Sequence, residues 1–239
     1  MSGQAGTTGL RIVDLEVERV GSPVVRGVSL EVPPGEITVM LGTNGAGKTT
    51  LLEAISGIIP SSGGSIHLTG QDITKLARDR RARAGLAHVE QGRTTFADLT
   101  VEENLLVAGP RSAIDAGFDL FPELQSRRTA KAALLSGGEQ QMLVISRALV
   151  TRPKVLMLDE MSLGLAPLVI RRLIPVVRSL ADEGVGVLLV EQFAPLALSV
   201  GNRAYVLSRG ELAYSGSCDV LANNPDQVRD LYLGEATTA

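Results

Sequence analysis

The run Gly42-Thr43-Asn44-Gly45-Ala46-Gly47-Lys48-Thr49 leaves this chain few ways to fold. It follows an apolar stretch, Ile37 to Leu41, and opens a segment of helical character, Thr50-Leu51-Leu52-Glu53-Ala54-Ile55. Strand, glycine loop, lysine, hydroxyl and helix in that order make a phosphate-binding loop. The glycines let backbone N–H groups turn inward where side chains would crowd an anion. The helix behind the loop aims its unsatisfied N–H groups and positive dipole end at the same point. Lys48 is placed to reach the β- and γ-phosphates of a nucleotide, and the Thr49 hydroxyl to ligate Mg²⁺. Gly42, Thr43, Asn44, Gly45, Ala46, Gly47, Lys48, Thr49 and Thr50 are therefore read as one nucleotide site.

Composition narrows what surrounds that site. At 239 residues, 44% hydrophobic and 21% charged, the chain can bury a real core. A net charge of −3 argues against direct nucleic-acid binding, which favours a basic surplus. The single Cys218 excludes an intrachain disulfide and suits a reducing compartment. Met1 to Leu10 carries neither a basic nor an apolar signal-peptide region, and no apolar run approaches the ~18 residues of a membrane span. Work at a membrane would then proceed from the cytoplasm, through a partner.

Taken in order, residues 1–9 are small and polar and are expected to fray. Val13, Leu15 and Val17, then Val28, Leu30 and Val32, alternate with polar residues as half-buried, antiparallel strands do. After the loop helix, a short strand is expected at Ser65–Leu68, and the basic run Arg78, Arg80, Arg81 and Arg83 reads as a solvated helix face. A strand at Gly85–Val89 leads to Gln91. Thr100, with Glu103 three residues on, signals a helix start. Residues from about 92 to 150 read as a small helical lobe. Beyond it come an acidic-ended strand at Val155–Glu160, a helix at Pro167–Asp182, a strand at Val185–Val190 and two short strands about Arg209-Gly210. This is an α/β nucleotide-binding core with a mixed or parallel sheet and flanking helices, plus an N-terminal antiparallel β portion and a helical subdomain.

Asp159 and Glu160 end an apolar strand, and in parallel sheets strand C-termini face the ligand crevice. One carboxylate there can hold Mg²⁺ and the other can orient or deprotonate an attacking water. Alone, such a pair could merely cap the next helix. Beside a phosphate loop, chemistry is the stronger reading. Ser136-Gly137-Gly138-Glu139 is a second glycine turn at a helix start, able both to cap its helix and to meet anionic oxygens.

The loop, Gln91, the run Leu135 to Gln141 and the Val155–Glu160 strand occur in the order of an ABC-transporter ATP-binding subunit, which residues 10–234 resemble. Finer details resemble the ATPases of branched-chain amino acid importers: Gly92-Arg93, Thr100 to Leu105, Phe121-Pro122 with Arg127-Arg128, Ser162 to Pro167, and Val190-Glu191-Gln192. The resemblance implies a head-to-tail dimer with a second ATP-binding subunit, as homo- or heterodimer, and ATP at the interface. Lys48 and Thr49 of one subunit would face Ser136, Gly137 and Gly138 of the other. It implies Asp159 near Mg²⁺, with Thr49 and Gln91 as further ligands, and Glu160 as general base. Gln192 would take the switch position at the γ-phosphate, and Ser162 to Ala166 would touch the opposite subunit. Integral membrane permease subunits would be the partners, reached through Gln91, with the chain peripheral on the inner face of the cell membrane. Hydrolysis of ATP would then drive import of branched-chain or related amino acids.

Three departures stand out. The family stacks an aromatic ring on adenine from just before the loop, but the first aromatic here is Phe96, and Arg19 or Val20 falls at that place. Met161 stands where a proline is usual, which is expected to loosen the turn after the acids. The only histidines, His67 and His88, precede the acidic strand, so Gln192 has no hidden histidine substitute. Two other functions compete. A nucleotide-gated dimerisation module would bind without turnover, yet Lys48, Ser136, Asp159 and Glu160 are all retained. A soluble ATPase of DNA repair or translation would need a coiled-coil insertion or second cassette that 239 residues do not hold.

Overall fold

Alternation along each strand decides which face is buried, and here it builds two cores on the two sides of one sheet. The computed structural model describes residues 9–92 and 94–233. The N-terminal alternating segments form β1 (Leu10–Arg19) and β2 (Ser22–Val32), an antiparallel hairpin as expected. The apolar run is β3 (Ile37–Leu41), wholly buried, and α1 (Lys48–Ser56) follows the glycine loop. β4 (Gly63–Leu68) returns to the other edge of β1, and β5 (Gln71–Asp72) completes a four-stranded antiparallel sheet ordered β2-β1-β4-β5.

Next come α2 (Arg78–Ala84), β6 (Leu86–Val89), α3 (Val101–Ala108), α4 (Arg111–Leu120), α5 (Pro122–Gln125), a 3₁₀ turn at Ala132–Leu134 and α6 (Gly137–Val150). The described residues continue through β7 (Val155–Asp159), α7 (Pro167–Asp182), β8 (Gly186–Glu191), α8 (Ala194–Leu198), β9 (Arg203–Ser208), β10 (Glu211–Ser217), α9 (Cys218–Ala222) and α10 (Pro225–Leu233). The second sheet has six strands in the order β10-β9-β3-β8-β7-β6. Its neighbours are parallel except for the antiparallel β9–β10 hairpin at one edge. The strand carrying the loop and the strand carrying the acids thus flank β8.

Period-two alternation divides the apolar side chains of this sheet. Ile37, Val39, Leu41, Leu156, Leu158, Val187 and Leu189 join the larger core with Leu105, Phe121, Leu143 and Leu173 of the helices. Met40, Val155, Met157, Leu188 and Val190 face the other way, toward α1 and the antiparallel sheet. Leu51, Leu52 and Ile55 of α1 are fully buried between the two sheets. At about 1.5–3 kcal/mol for each such side chain, burial fixes the helix on which the loop rests.

Two readings change. The basic run is not uniformly solvated: Arg81 is only 3% exposed, and its guanidinium donates to the carbonyls of Ala54 and Ile55 at the end of α1, and of Thr74 and Leu76. Burying a charge requires such partners, and the last carbonyls of a helix supply them. Gly9, expected to fray, is buried, and its carbonyl accepts from the Thr69 N–H at 2.8 Å. Residues 1–8, Arg93 and Gly234 lie outside the described residues.

Candidate functional site

The C-terminal ends of β3, β7 and β8 converge on the glycine loop. Gly45 and Gly47 have φ of 79° and 106°, a region where a side chain would be strained. A Cβ on Gly42 would lie 2.6 Å from the Leu207 carbonyl oxygen, so only glycine fits where the loop leaves β3. Lys48 is buried and reaches back across the loop. Its Nζ donates to the carbonyls of Gly42 (2.8 Å) and Thr43 (3.2 Å) and lies 3.3 Å from Glu160 Oε1. The other Glu160 oxygen accepts from Gln91 Nε2 at 2.9 Å. Thr49 Oγ1 donates to Asp159 Oδ2 at 3.1 Å. Five side chains from three separated stretches of the sequence thus form one cluster.

The electrostatics of the cluster are unsettled in a useful way. Burial pushes Asp159 up to about 6, with the Thr49 hydrogen bond opposing this and the Glu160 charge adding to it. Its Oδ1 is buried with no hydrogen-bond partner among the described residues. A hard cation would satisfy that oxygen and the Thr49 hydroxyl together, so the donor set fits Mg²⁺. Glu160 adopts φ 46°, held by its N–H donating to the Val190 carbonyl at 2.9 Å. Met161, expected to loosen this turn, is instead 1% exposed and packs in the larger core. The turn is anchored by burial where a proline would have stiffened it.

A cavity of about 320 Å³ lies over the loop, lined by Val24, Asn44, Gly45, Gly47, Lys48, Thr49, Thr50, Gln91 and Glu160. Among the described residues no aromatic ring lines it. Arg19 pairs with Glu53 and donates to Thr50 Oγ1 (3.3 Å), while Val20 points fully into solvent. Neither Ser136, Gly137 nor Gly138 lines this cavity. Ser136 is exposed and caps α6, accepting from Glu139 N–H while the Glu139 carboxylate accepts from the Ser136 N–H. Gln192 is exposed at the end of β8; it lines a neighbouring cavity of about 670 Å³ together with Glu160 and Ser162.

A family model described as ABC transporter matches residues 25–162. The chain belongs to the ABC transporter family. As an ABC ATP-binding subunit it is similar to the high-affinity branched-chain amino acid transport ATP-binding protein BraG of Pseudomonas aeruginosa, 44% identical over 214 residues that cover 87% of this chain and 91% of that protein. It is also 37% identical to a probable branched-chain amino acid transport ATP-binding protein, LivF, of Archaeoglobus fulgidus, over 89% of this chain and 93% of the relative. Among solved structures, the ADP conformation of an ATP-binding cassette from an ABC transporter superposes with a TM-score of 0.84 at 25% identity, covering 95% of this chain and 99% of that one. ABC subunits of this class hydrolyse ATP, and this one is an ATPase.

Two further residues near this cluster had no role from the sequence alone, Glu191 standing there only within the run Val190-Glu191-Gln192. Glu191, 2% exposed, accepts from the Ser162 N–H (3.1 Å) and hydroxyl (2.7 Å), tying β8 to the loop after the acids. Burial raises its carboxyl above the ordinary range, against the Ser162 hydrogen bonds. Its place, an acid ending an apolar strand, is the same signal that singled out Asp159. Tyr232 donates to the Gln192 carbonyl at 3.0 Å, and nothing in its surrounding sequence marked it.

Proposed function

We propose that this chain powers a membrane importer of branched-chain or related amino acids, acting as a head-to-tail dimer with ATP at the interface. The observation that carries the reading is the cluster of Lys48, Thr49, Gln91, Asp159 and Glu160 over a glycine loop. Likeness to the two branched-chain transport proteins supports the substrate class.

An entering triphosphate meets open N–H groups at the start of α1 and the Lys48 ammonium, which then exchanges its loop carbonyls for phosphate oxygens. Glu160, released from Lys48, orients a water in line with the γ-phosphate and accepts its proton. Gln192 donates its amide N–H to a γ-phosphate oxygen. Thr49, Gln91 and Asp159 would hold Mg²⁺, which would supply charge neutralisation at the phosphates. Ser136, Gly137 and Gly138 act from a second subunit, which agrees with their absence from the loop cavity of their own chain.

Next to Gln91, a groove of about 320 Å³ is lined by Glu90, Phe96, Val107 and Arg147. Permease subunits would dock here, holding the protein at the inner face of the membrane. Among the described residues no helix is long and apolar enough to cross a bilayer. Glu160→Gln tests the model: it keeps shape and hydrogen bonding but removes the base. Gel filtration should show an ATP-dependent dimer, with phosphate release down by about 10²–10⁴. A monomer under saturating ATP and Mg²⁺ would overturn the shared-site reading.

A further inference from the structure

β3 and β8 pair in parallel as far as Leu41 opposite Glu191, and the next residues on each strand are Gly42 and Gln192. There the ladder stops and the nucleotide crevice opens. The Tyr232 hydroxyl, from α10, reaches in at that point and donates to the Gln192 carbonyl at 3.0 Å, close against the Gly42 backbone. The backbone carbonyl just past the end of β8 is thus satisfied by a side chain of the C-terminal helix.

The neighbours of this hydroxyl are already committed. The Gly42 carbonyl holds Lys48, and its Cα abuts the Leu207 carbonyl. The Gln192 side chain makes no hydrogen bond among the described residues, so its direction is set by its backbone, whose carbonyl Tyr232 holds. The ring is half-buried between cavities of about 670 and 710 Å³, and α10 is anchored through buried Val228 and Leu231. Burial pushes the hydroxyl up to about 12, so it stays protonated and keeps its proton on the Gln192 carbonyl.

We propose that Tyr232 is a positioning residue that holds Gln192 in place beside the phosphate loop through its backbone carbonyl, making the C-terminal helix part of the hydrolytic machinery. The proposal rests on the reading of Gln192 as the group that meets the γ-phosphate. Removing the hydroxyl lets Gln192 drift by a fraction of an ångström, and a misplacement of about 1 Å can cost on the order of a hundredfold in rate.

The test is steady-state phosphate release with ATP affinity, comparing the parent protein with Tyr232→Phe, Gln192→Ala, the double variant and a Leu233→Ala control on the exposed end of the same helix. Rates are referred to nucleotide sites titrated in each sample, so unfolded protein is not counted. Gln192→Ala should slow kcat by roughly one to two orders of magnitude. Tyr232→Phe should lower kcat about tenfold with ATP affinity within about twofold, and add nothing further in the Gln192→Ala background. Leu233→Ala should match the parent. A slow Gln192→Ala beside a normal Tyr232→Phe overturns the positioning role and leaves Gln192 intact. The same Tyr232→Phe factor in both backgrounds also overturns it, because a general loosening would act alike in each. A normal Gln192→Ala removes the catalytic role of Gln192, and the proposal with it.

Discussion

Two helices of this protein begin at glycine turns, and they treat their first N–H groups in opposite ways. Every helix start leaves four such groups without intrahelical partners. At α6, Ser136 and Glu139 form a reciprocal capping box, so side chains of the chain itself satisfy two of them. At α1 the cap residue is Gly47, in a left-handed conformation and with no side chain to offer. The far ends differ too. The last carbonyls of α1 receive the buried Arg81 guanidinium, whereas Arg147 near the end of α6 turns away to the Thr94 carbonyl and the Phe96 ring. Helix α1 is therefore built to be completed by an anion at one end and is already completed by a cation at the other. Helix α6 is finished on its own, and can meet a nucleotide only with the N–H groups its box leaves over.

The sharpest way to break this contrast is at the open end. Lys48→Ala should lose most ATP affinity and cut turnover by at least about a hundredfold, read by nucleotide titration and phosphate release. Normal binding and turnover would mean that the start of α1 is not the phosphate site. At the opposite end, Arg81→Ala should destabilise by about 3 kcal/mol, since hydrogen bonds to charged groups are worth about 1.5–3 kcal/mol and several backbone carbonyls would be stranded. Arg81→Lys should fall between, a point charge replacing a fork. Denaturant titration decides it, and a loss under about 0.5 kcal/mol would make Arg81 an ordinary surface residue.

His88, whose Nδ1 lies 3.1 Å from the Ser56 hydroxyl on the last residue of α1, probes the same end by pH. Burial depresses it from 6.5 to about 4, so the folded state resists a proton that the unfolded chain takes. Its contribution is complete above pH 6.5 and is lost as pH falls toward 4, amounting to roughly 1.4 kcal/mol already at pH 5.5. His88→Gln should flatten the stability profile over that window. An equal acid loss in the variant would assign the effect elsewhere. The smallest effect is at the finished helix. Ser136→Ala should cost about 1 kcal/mol of stability and leave ATP binding by the isolated subunit unchanged. A fall in that binding would erase the distinction between the two helix starts.

Much of this was legible because it is local. Strand alternation, the loop glycines, the boxes at Thr100 and Ser136, and the acids ending β7 are each encoded within a few adjacent residues. Arg81 was misread because a run of arginines looks solvated unless one knows that α1 ends beneath it, 26 residues away in the chain. Tyr232 meets Gln192 across 40 residues through a hydroxyl, and no periodicity announces such a bond. Met161 looked like a missing stiffener because its burial depends on the packing of the larger core. Glu191 could have been found by applying the rule used for Asp159 to the neighbouring strand.

The lining of the loop cavity has a consequence for turnover economy. With no ring to stack on a base, and with Arg19 committed to Glu53 and Thr50, the apolar contact available there is Val24. The grip on a nucleotide is then concentrated at its charged tail. Loss of the terminal phosphate removes a larger share of the total hold than it would in a site that also clasps the purine. Such a subunit would shed ADP readily and track the ratio of triphosphate to diphosphate more closely than the identity of the base. Its idle state would follow the energy charge of the cell.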